Sequence, residues 1–178
     1  RPEKKKIIGR VKGYHGVTVA AGSLTAIPLM QNGFDLPIDR MIHTETPNYY
    51  RFRKADETEE QFASRLAKSL EDLILSENPD TVAAFIAEPI MGAGGVILPP
   101  ATYFEKVQNV LKKYDVLMIA DEVICGFGRT GNMWGSHTYD IQPDMVTCAK
   151  QLSSGYLPIA ALMISSSIYD VFKEQSDR

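Results

Sequence analysis

The stretch Val116-Leu-Met-Ile-Ala-Asp121-Glu122 joins an unbroken apolar run directly to two carboxylates. An apolar run of strand length with no polar position is typical of a strand that is buried on both faces of a parallel sheet. A second such run, Thr81-Val-Ala-Ala-Phe-Ile-Ala-Glu88, precedes it, and the amphipathic segment from Thr102 to Tyr114 between them predicts a helix. The order strand, helix, strand predicts a parallel βαβ unit and therefore an α/β fold.

The remaining segments extend this unit. Thr58 followed by Gln61 has the spacing of a capping box, and it begins a helix predicted to run to Ser76. Further strands are predicted at Lys5–Lys12, near Met41–His43, at Met145–Cys148 and at Ile159–Ile164, with a weaker helix at Val17–Ile27. We expect a mainly parallel sheet with helices on both faces.

Composition excludes several classes of protein. The 178 residues are 44% hydrophobic and 23% charged, as in an ordinary globular protein. The net charge is −3, and the only basic block is Lys4-Lys5-Lys6, which argues against nucleic acid as a partner. No apolar run is long enough to span a membrane, and no signal peptide is visible. Cys125 and Cys148 lack the spacing of a disulfide framework, so we expect a cytoplasmic protein.

Two charged residues end apolar runs. Asp121 ends the strand quoted first, and Lys150 follows Met145-Val-Thr-Cys-Ala149. Taken singly, each is better explained as a charge that emerges into water. Taken together, they supply what a pyridoxal phosphate site needs, which is an amine for a Schiff base and a carboxylate that keeps the pyridine nitrogen protonated. Lys150 and Asp121 are therefore the predicted catalytic residues.

Two further segments are candidates for ligand binding. Glu88 ends a predicted buried strand before a glycine-rich turn, and it either binds a ligand or caps a neighbouring helix. The segment Tyr14-His15-Gly16 could place an aromatic ring over a flat cofactor, although an aromatic residue near a turn more often belongs to the core.

The segment Gly126-Phe-Gly-Arg-Thr-Gly131 matches the dinucleotide motif G-x-G-x-x-G literally. That motif needs a helix that opens at the glycines and an acidic residue about 20 positions further on. Asn132-Met-Trp-Gly135 is a poor start for a helix, and Asp140 and Asp144 come too soon. These features argue against a nicotinamide site. We also predict no metal site, because the histidines and cysteines share no ligand spacing, and no catalytic thiol at Cys125.

Together these segments resemble the class III pyridoxal phosphate-dependent aminotransferases, which share fold type I with aspartate aminotransferase. The matching segments are Tyr14–Gly16, Ala87–Pro89, Gly92–Gly95, Ala120–Val123, Gly126–Gly131, Ala149–Lys150 and Ser154–Tyr156. The resemblance implies that residues 1–178 are part of the large cofactor-binding domain. It also implies that the upstream phosphate-binding segment and the carboxyl-terminal small domain lie outside this chain.

The resemblance implies a role for each matching residue. Lys150 would carry the Schiff base and move a proton, and Asp121 would pair with the pyridine nitrogen. Tyr14 would stack on one face of the ring and Val123 would pack on the other. His15 would support the site.

The resemblance implies that Glu88 orders the site through polar contacts. Ala93 and Ile124 stand where the ornithine branch and one 4-aminobutyrate branch carry Glu and Gln, and both resemble the ω-amino acid:pyruvate branch. The implied reaction moves an amino group from an ω-amino acid or amine, such as 4-aminobutyrate, β-alanine or a diamine, to pyruvate or a similar oxoacid. A homodimer or a dimer of dimers is implied, and the chain alone is expected to be inactive.

Three alternatives remain. The first is an aminomutase, or another lyase-type enzyme, on the same scaffold. The second is a non-catalytic module that binds pyridoxal phosphate. The third is a nicotinamide-binding domain, which depends only on Gly126–Gly131.

Overall fold

The computed structural model describes residues 1–176, and these form one six-stranded sheet with helices packed against it. The strands are β1 (Lys6–Arg10), β2 (Met41–Thr44), β3 (Val82–Ala87), β4 (Leu117–Asp121), β5 (Met145–Cys148) and β6 (Ala161–Ile164). The helices are α1 (Val19–Leu24), α2 (Pro28–Gln31), α3 (Tyr49–Phe52), α4 (Glu59–Ser76), α5 (Tyr103–Lys113), α6 (Gly135–Thr138) and α7 (Ser166–Gln175). Two short 3-10 turns span Pro79–Thr81 and Lys150–Ser153.

The sheet has the strand order β2-β1-β3-β4-β5-β6. The pairs from β2 to β5 are parallel, and only β6 runs antiparallel to its neighbour. Helix α5 connects β3 to β4, so the predicted βαβ unit and the predicted α/β fold are confirmed. Because β1, β3, β4 and β5 run in the same direction, the residues that follow them meet at one edge of the sheet.

Helices cover both faces of the sheet, as predicted. On one face, α4 and α5 pack together over Ile8, Phe85 and Met118, which belong to the main hydrophobic core. On the other face, α1 lies against β1 and β2. A Cβ atom added to Gly9 would lie only 3.0 Å from the Leu24 carbonyl oxygen, so the absence of a side chain allows this close approach.

Helix α4 begins and ends as the sequence predicts. The Thr58 hydroxyl accepts a hydrogen bond from the Gln61 amide at 3.2 Å, and the Gln61 side chain accepts one from the Thr58 amide at 2.9 Å. This capping box satisfies two backbone donors that the first helical turn leaves free. The buried side chains of α4 include Phe62, Leu66 and Leu70. No helix between residues 1 and 176 is both long enough and apolar enough to cross a membrane.

The outer part of the sheet departs from prediction. All four residues of β6 are exposed, and β5 is half-buried rather than fully buried. The helix predicted at Val17–Ile27 is shorter, because Thr18 caps it and Thr25 already has an extended backbone. Helix α7 is absent from the sequence prediction, although Ile168 and Phe172 lie four residues apart, as on one face of a helix.

Candidate active site

Asp121 is the last residue of β4, and its buried carboxylate is held by two partners. Its Oδ2 atom lies 2.7 Å from Nδ1 of His15, and its Oδ1 atom accepts a hydrogen bond from the Val123 amide at 3.1 Å. The side chains of His15 and Asp121 are only 2% and 6% exposed. A carboxylate has more lone pairs than these two contacts use. Asp121 is therefore fixed in orientation and can still accept a hydrogen bond from a further donor.

His15 follows β1 and is held through its own backbone. Its amide donates to the Thr25 hydroxyl at 2.8 Å, and that hydroxyl donates to the Gly16 carbonyl at 2.9 Å. The Nε2 atom of His15 is buried and has no hydrogen-bond partner within residues 1–176. Buried polar atoms are rarely left unpaired, so this nitrogen marks a polar position beside Asp121.

Glu88 directly follows β3 and binds two loops rather than capping a helix. Its side chain is buried, and its two oxygens accept hydrogen bonds from the Tyr14 amide at 3.1 Å and the Gly92 amide at 2.8 Å. Its backbone carbonyl accepts a hydrogen bond from the buried guanidinium of Arg10, a residue for which the sequence analysis predicts no role. Glu88 therefore fixes the backbone of Tyr14 and of the glycine-rich turn.

Lys150 begins the 3-10 turn that follows β5. Its φ angle is +40°, a backbone conformation that residues other than glycine rarely adopt and that is found disproportionately at functional sites. Lys150 is exposed. The sequence predicts instead that the strand before it is buried and that Lys150 lies at the end of that buried strand. The difference arises because β5 is only half-buried beside the exposed strand β6.

The six residues predicted to form the site line one cavity of about 100 Å³. These residues are Tyr14, His15, Glu88, Asp121, Val123 and Lys150. A neighbouring cavity of about 570 Å³ shares Val123, Ile124 and Lys150 with it and is lined mainly by apolar side chains. Residues that follow or end four parallel strands thus meet at one place, where a lysine and an aspartate line the same cavity.

Glu122 is a buried residue of the site region that the sequence analysis did not assign. Its side chain is 0% exposed and accepts hydrogen bonds from the Gly135 amide at 2.9 Å and the Ser136 amide at 2.6 Å, and also from the Ser136 hydroxyl. These bonds close the loop that leaves β4. In the sequence, Glu122 stands out only as a second carboxylate directly after an apolar run. Its hydrogen-bond partners lie 13 and 14 residues away, so local sequence does not predict its role.

The other site types receive no support from the geometry. Gly126–Gly131 does not open a helix, and the helix that follows, α6, has only four residues. A dinucleotide site of the kind that the motif describes needs a helix amino terminus at the glycines. Within the described part of the chain, no three His, Cys, Asp or Glu side chains come together as a set of metal ligands.

Cys125 is expected to be unreactive in the folded protein. Burial raises the pKa of its thiol to about 11, and the thiol also contacts the Ile90 backbone. The thiolate is the reactive form, so at pH 7.5 we expect alkylation by iodoacetamide at least about 100-fold slower than for an ordinary thiol. Peptide mapping by mass spectrometry measures this rate, with the denatured protein as control. Rapid labelling of Cys125 in the native full-length protein would contradict the prediction that this thiol is buried and unreactive.

Comparisons with known proteins show that the chain is similar to transaminases. The chain is 59% identical over its whole length to Gamma aminobutyrate transaminase 1, mitochondrial, from Solanum lycopersicum, and covers 35% of that protein. It is 58% identical over its whole length to Gamma aminobutyrate transaminase 3, chloroplastic, from the same organism, and covers 34% of it. The solved omega transaminase from Pseudomonas jessenii in complex with PMP superposes with a TM-score of 0.97 at 59% identity, over 98% of this chain and 39% of that one.

The prediction of a cytoplasmic protein is wrong. The two relatives from Solanum lycopersicum are named as mitochondrial and chloroplastic proteins. Cys125 and Cys148 are both free, as expected, but free thiols do not distinguish the cytoplasm from other compartments in which thiols stay reduced.

The chain spans between about a third and two fifths of the length of these relatives. The family model described as Aminotransferase class-III matches residues 1–177, which is nearly the entire sequence. The resemblance drawn from the separate segments is thereby confirmed. This chain belongs to the class-III aminotransferase family.

Proposed function

We propose that the full-length protein transfers an amino group from an ω-amino acid or amine to pyruvate or a similar oxoacid, with pyridoxal phosphate as cofactor. 4-Aminobutyrate, β-alanine and diamines are the expected donors. The observation that carries the proposal is the cavity that Lys150, Asp121 and Tyr14 line together. The names of the relatives, gamma aminobutyrate transaminase and omega transaminase, support the choice of donor.

The residues present fit pyridoxal phosphate. The Asp121 carboxylate is buried, is oriented by His15 and Val123, and retains the capacity to accept a hydrogen bond from a pyridine nitrogen. Lys150 lines the same cavity and supplies the primary amine that an aldehyde requires. When bound, the cofactor supplies an electron sink for the charge that develops on the substrate carbon.

Each residue then has a defined task. Asp121 would hold a proton on the pyridine nitrogen of the bound cofactor, and His15 keeps the carboxylate in orientation through its Nδ1 atom. Lys150, through its Nζ atom, would move the proton between the amine-bearing carbon of the substrate and the bound cofactor, in one direction with the amine and in the opposite direction with the oxoacid. Tyr14 and Val123 would confine the two faces of the bound ring. Glu88 holds the Tyr14 backbone in place.

We further infer that the chain is part of the large domain of a homodimeric enzyme. The share of each relative that it covers supports this inference, as does the complete exposure of β6. The residues that bind the cofactor phosphate and the substrate carboxylate would then come from other parts of the full-length protein, and we expect the isolated chain to be inactive.

The names of the relatives favour transamination over the aminomutase and the non-catalytic module. A coupled assay separates these functions, because only a transaminase consumes an oxoacid in equal amount to the amine. No geometry in residues 1–176 favours the nicotinamide site.

The direct test is borohydride reduction of the full-length protein after loading with pyridoxal phosphate. Peptide mapping is expected to find a pyridoxyl group on Lys150, because reduction makes the bond between amine and aldehyde permanent. A Lys150→Arg variant treated identically is the control and should carry no label at position 150. A wild-type protein that is catalytically active yet unlabelled at Lys150 would contradict the proposed role.

A further inference from the structure

The turn between β3 and α5 carries an unusual backbone at Val96. Val96 has a φ angle of +51°, and among residues 1–176 it is the only β-branched residue with a positive φ. Branching at Cβ makes this conformation especially unfavourable, whereas glycine and asparagine adopt it readily. The sequence offers glycine immediately before it, at Gly94 and Gly95.

The turn is held firmly at both ends. Met91 and Ile97 are buried and exchange backbone hydrogen bonds of 3.1 and 2.9 Å, which closes the turn at its base. At the tip, a Cβ atom on Gly94 would lie 2.4 Å from the Lys12 carbonyl oxygen, so this residue packs directly against the end of β1. The Val96 amide also donates to the Gly92 carbonyl at 3.0 Å. The position of Val96 is therefore set by the scaffold.

The Val96 side chain gains little from burial in the part of the chain that the structure describes. It is 68% exposed, and it lines the 570 Å³ cavity together with Val123, Ile124 and Lys150. At this position, an exposed valine in a strained conformation gives the fold no more stability than glycine would. Strain of this kind persists where the surrounding structure enforces it, and it concentrates at binding sites.

We propose that Val96 determines substrate specificity by limiting the size of the group that the amine-bearing carbon carries. The surrounding apolar side chains suit a hydrocarbon or aryl group, and removal of the Val96 side chain would widen the cavity on the side of the glycine-rich turn. The inference rests on the proposed transamination, because it assigns the larger cavity to the amine substrate.

The test uses Val96→Gly and Val96→Asn in the full-length protein. Both residues tolerate a positive φ, but only glycine also removes the bulk of the side chain. With pyruvate as acceptor, Val96→Gly is expected to shift the ratio of kcat/KM for an arylalkylamine over that for a short ω-amino acid about tenfold towards the arylalkylamine. Val96→Asn is expected to shift this ratio less than about twofold. Neither variant should melt at a lower temperature than the wild type.

Asp56→Gly is the matched control. Asp56 has a φ angle of +60° and is exposed, and it does not line the cavity, so this change relieves a similar backbone strain without altering the ratio. An unchanged ratio in Val96→Gly, or an equal shift in Val96→Asn, would overturn the proposal. A lower melting temperature in Val96→Gly would also overturn it, because Val96 would then pack against the remainder of the full-length chain. A wild-type protein without any transamination would instead refute the proposed function.

Discussion

Replacement of Lys150 with alanine is expected to lower the transamination rate of the full-length protein by at least about 10⁴-fold. The alanine removes the amine of Lys150, the only lysine among the described residues that line the cavity with Asp121 and Tyr14. In the proposed mechanism this removes both the group that attaches to an aldehyde and the base that moves the proton, and general base catalysis alone contributes roughly 10²–10⁴-fold. The measurement is the rate of oxoacid consumption at saturating amine.

Lys112→Ala provides the matched control for this loss. Lys112 lies exposed on α5 and does not line either cavity of the site, so its replacement should leave the rate unchanged. Circular dichroism of both variants should match that of the wild type, because the exposed Lys150 side chain contributes little to packing. Near-normal turnover by Lys150→Ala would show that Lys150 is not the catalytic lysine and that this cavity is not the active site.

Replacement of Asp121 with asparagine is expected to reduce kcat on the order of 10²–10³-fold while the cofactor still binds. Asparagine keeps the size of the side chain and can still accept the hydrogen bond from the Val123 amide. It is uncharged, so it no longer holds a proton on the pyridine nitrogen, and the charge that develops during proton transfer is stabilised less. Single-turnover kinetics with the amine alone measure this step.

The control for Asp121→Asn is Asp39→Asn, an exposed residue outside both cavities. The absorbance of the bound cofactor shows whether each variant is loaded. If the loaded Asp121→Asn protein reacts at the wild-type rate, Asp121 does not act on the pyridine nitrogen, and the contact with His15 is only structural.

The fold and the strand ends could be predicted because the central strands are recognisable from short local patterns of residues. An apolar run that stops at a carboxylate, as at Glu88 and Asp121, gives both the strand and its terminal residue. In a parallel sheet the ends of neighbouring strands meet, so residues far apart in sequence could be assigned to one site.

The parts that escaped prediction depend on contacts between distant segments or on backbone angles. Glu122 finds its partners across a loop, and Arg10 is buried against a carbonyl that lies 78 positions away. A glycine-rich turn leads one to expect positive φ angles at glycine alone, whereas Val96 has one as well. The half-burial of β5 and the exposure of β6 could not be predicted from their apolar composition, because composition does not reveal which neighbour covers a strand.

The hydrogen bond between His15 and Asp121 joins residues 106 positions apart, and it forms only when β1 pairs with β3 and β3 pairs with β4. A ligand that requires this pair binds the native state and not the unfolded chain. At a free ligand concentration about 1,000 times the dissociation constant, binding would therefore add about 4 kcal/mol to the free energy of unfolding. If that ligand is the proposed pyridoxal phosphate, a shortage of it would leave a larger fraction of the protein unfolded and open to proteolysis, so abundance and activity would fall together.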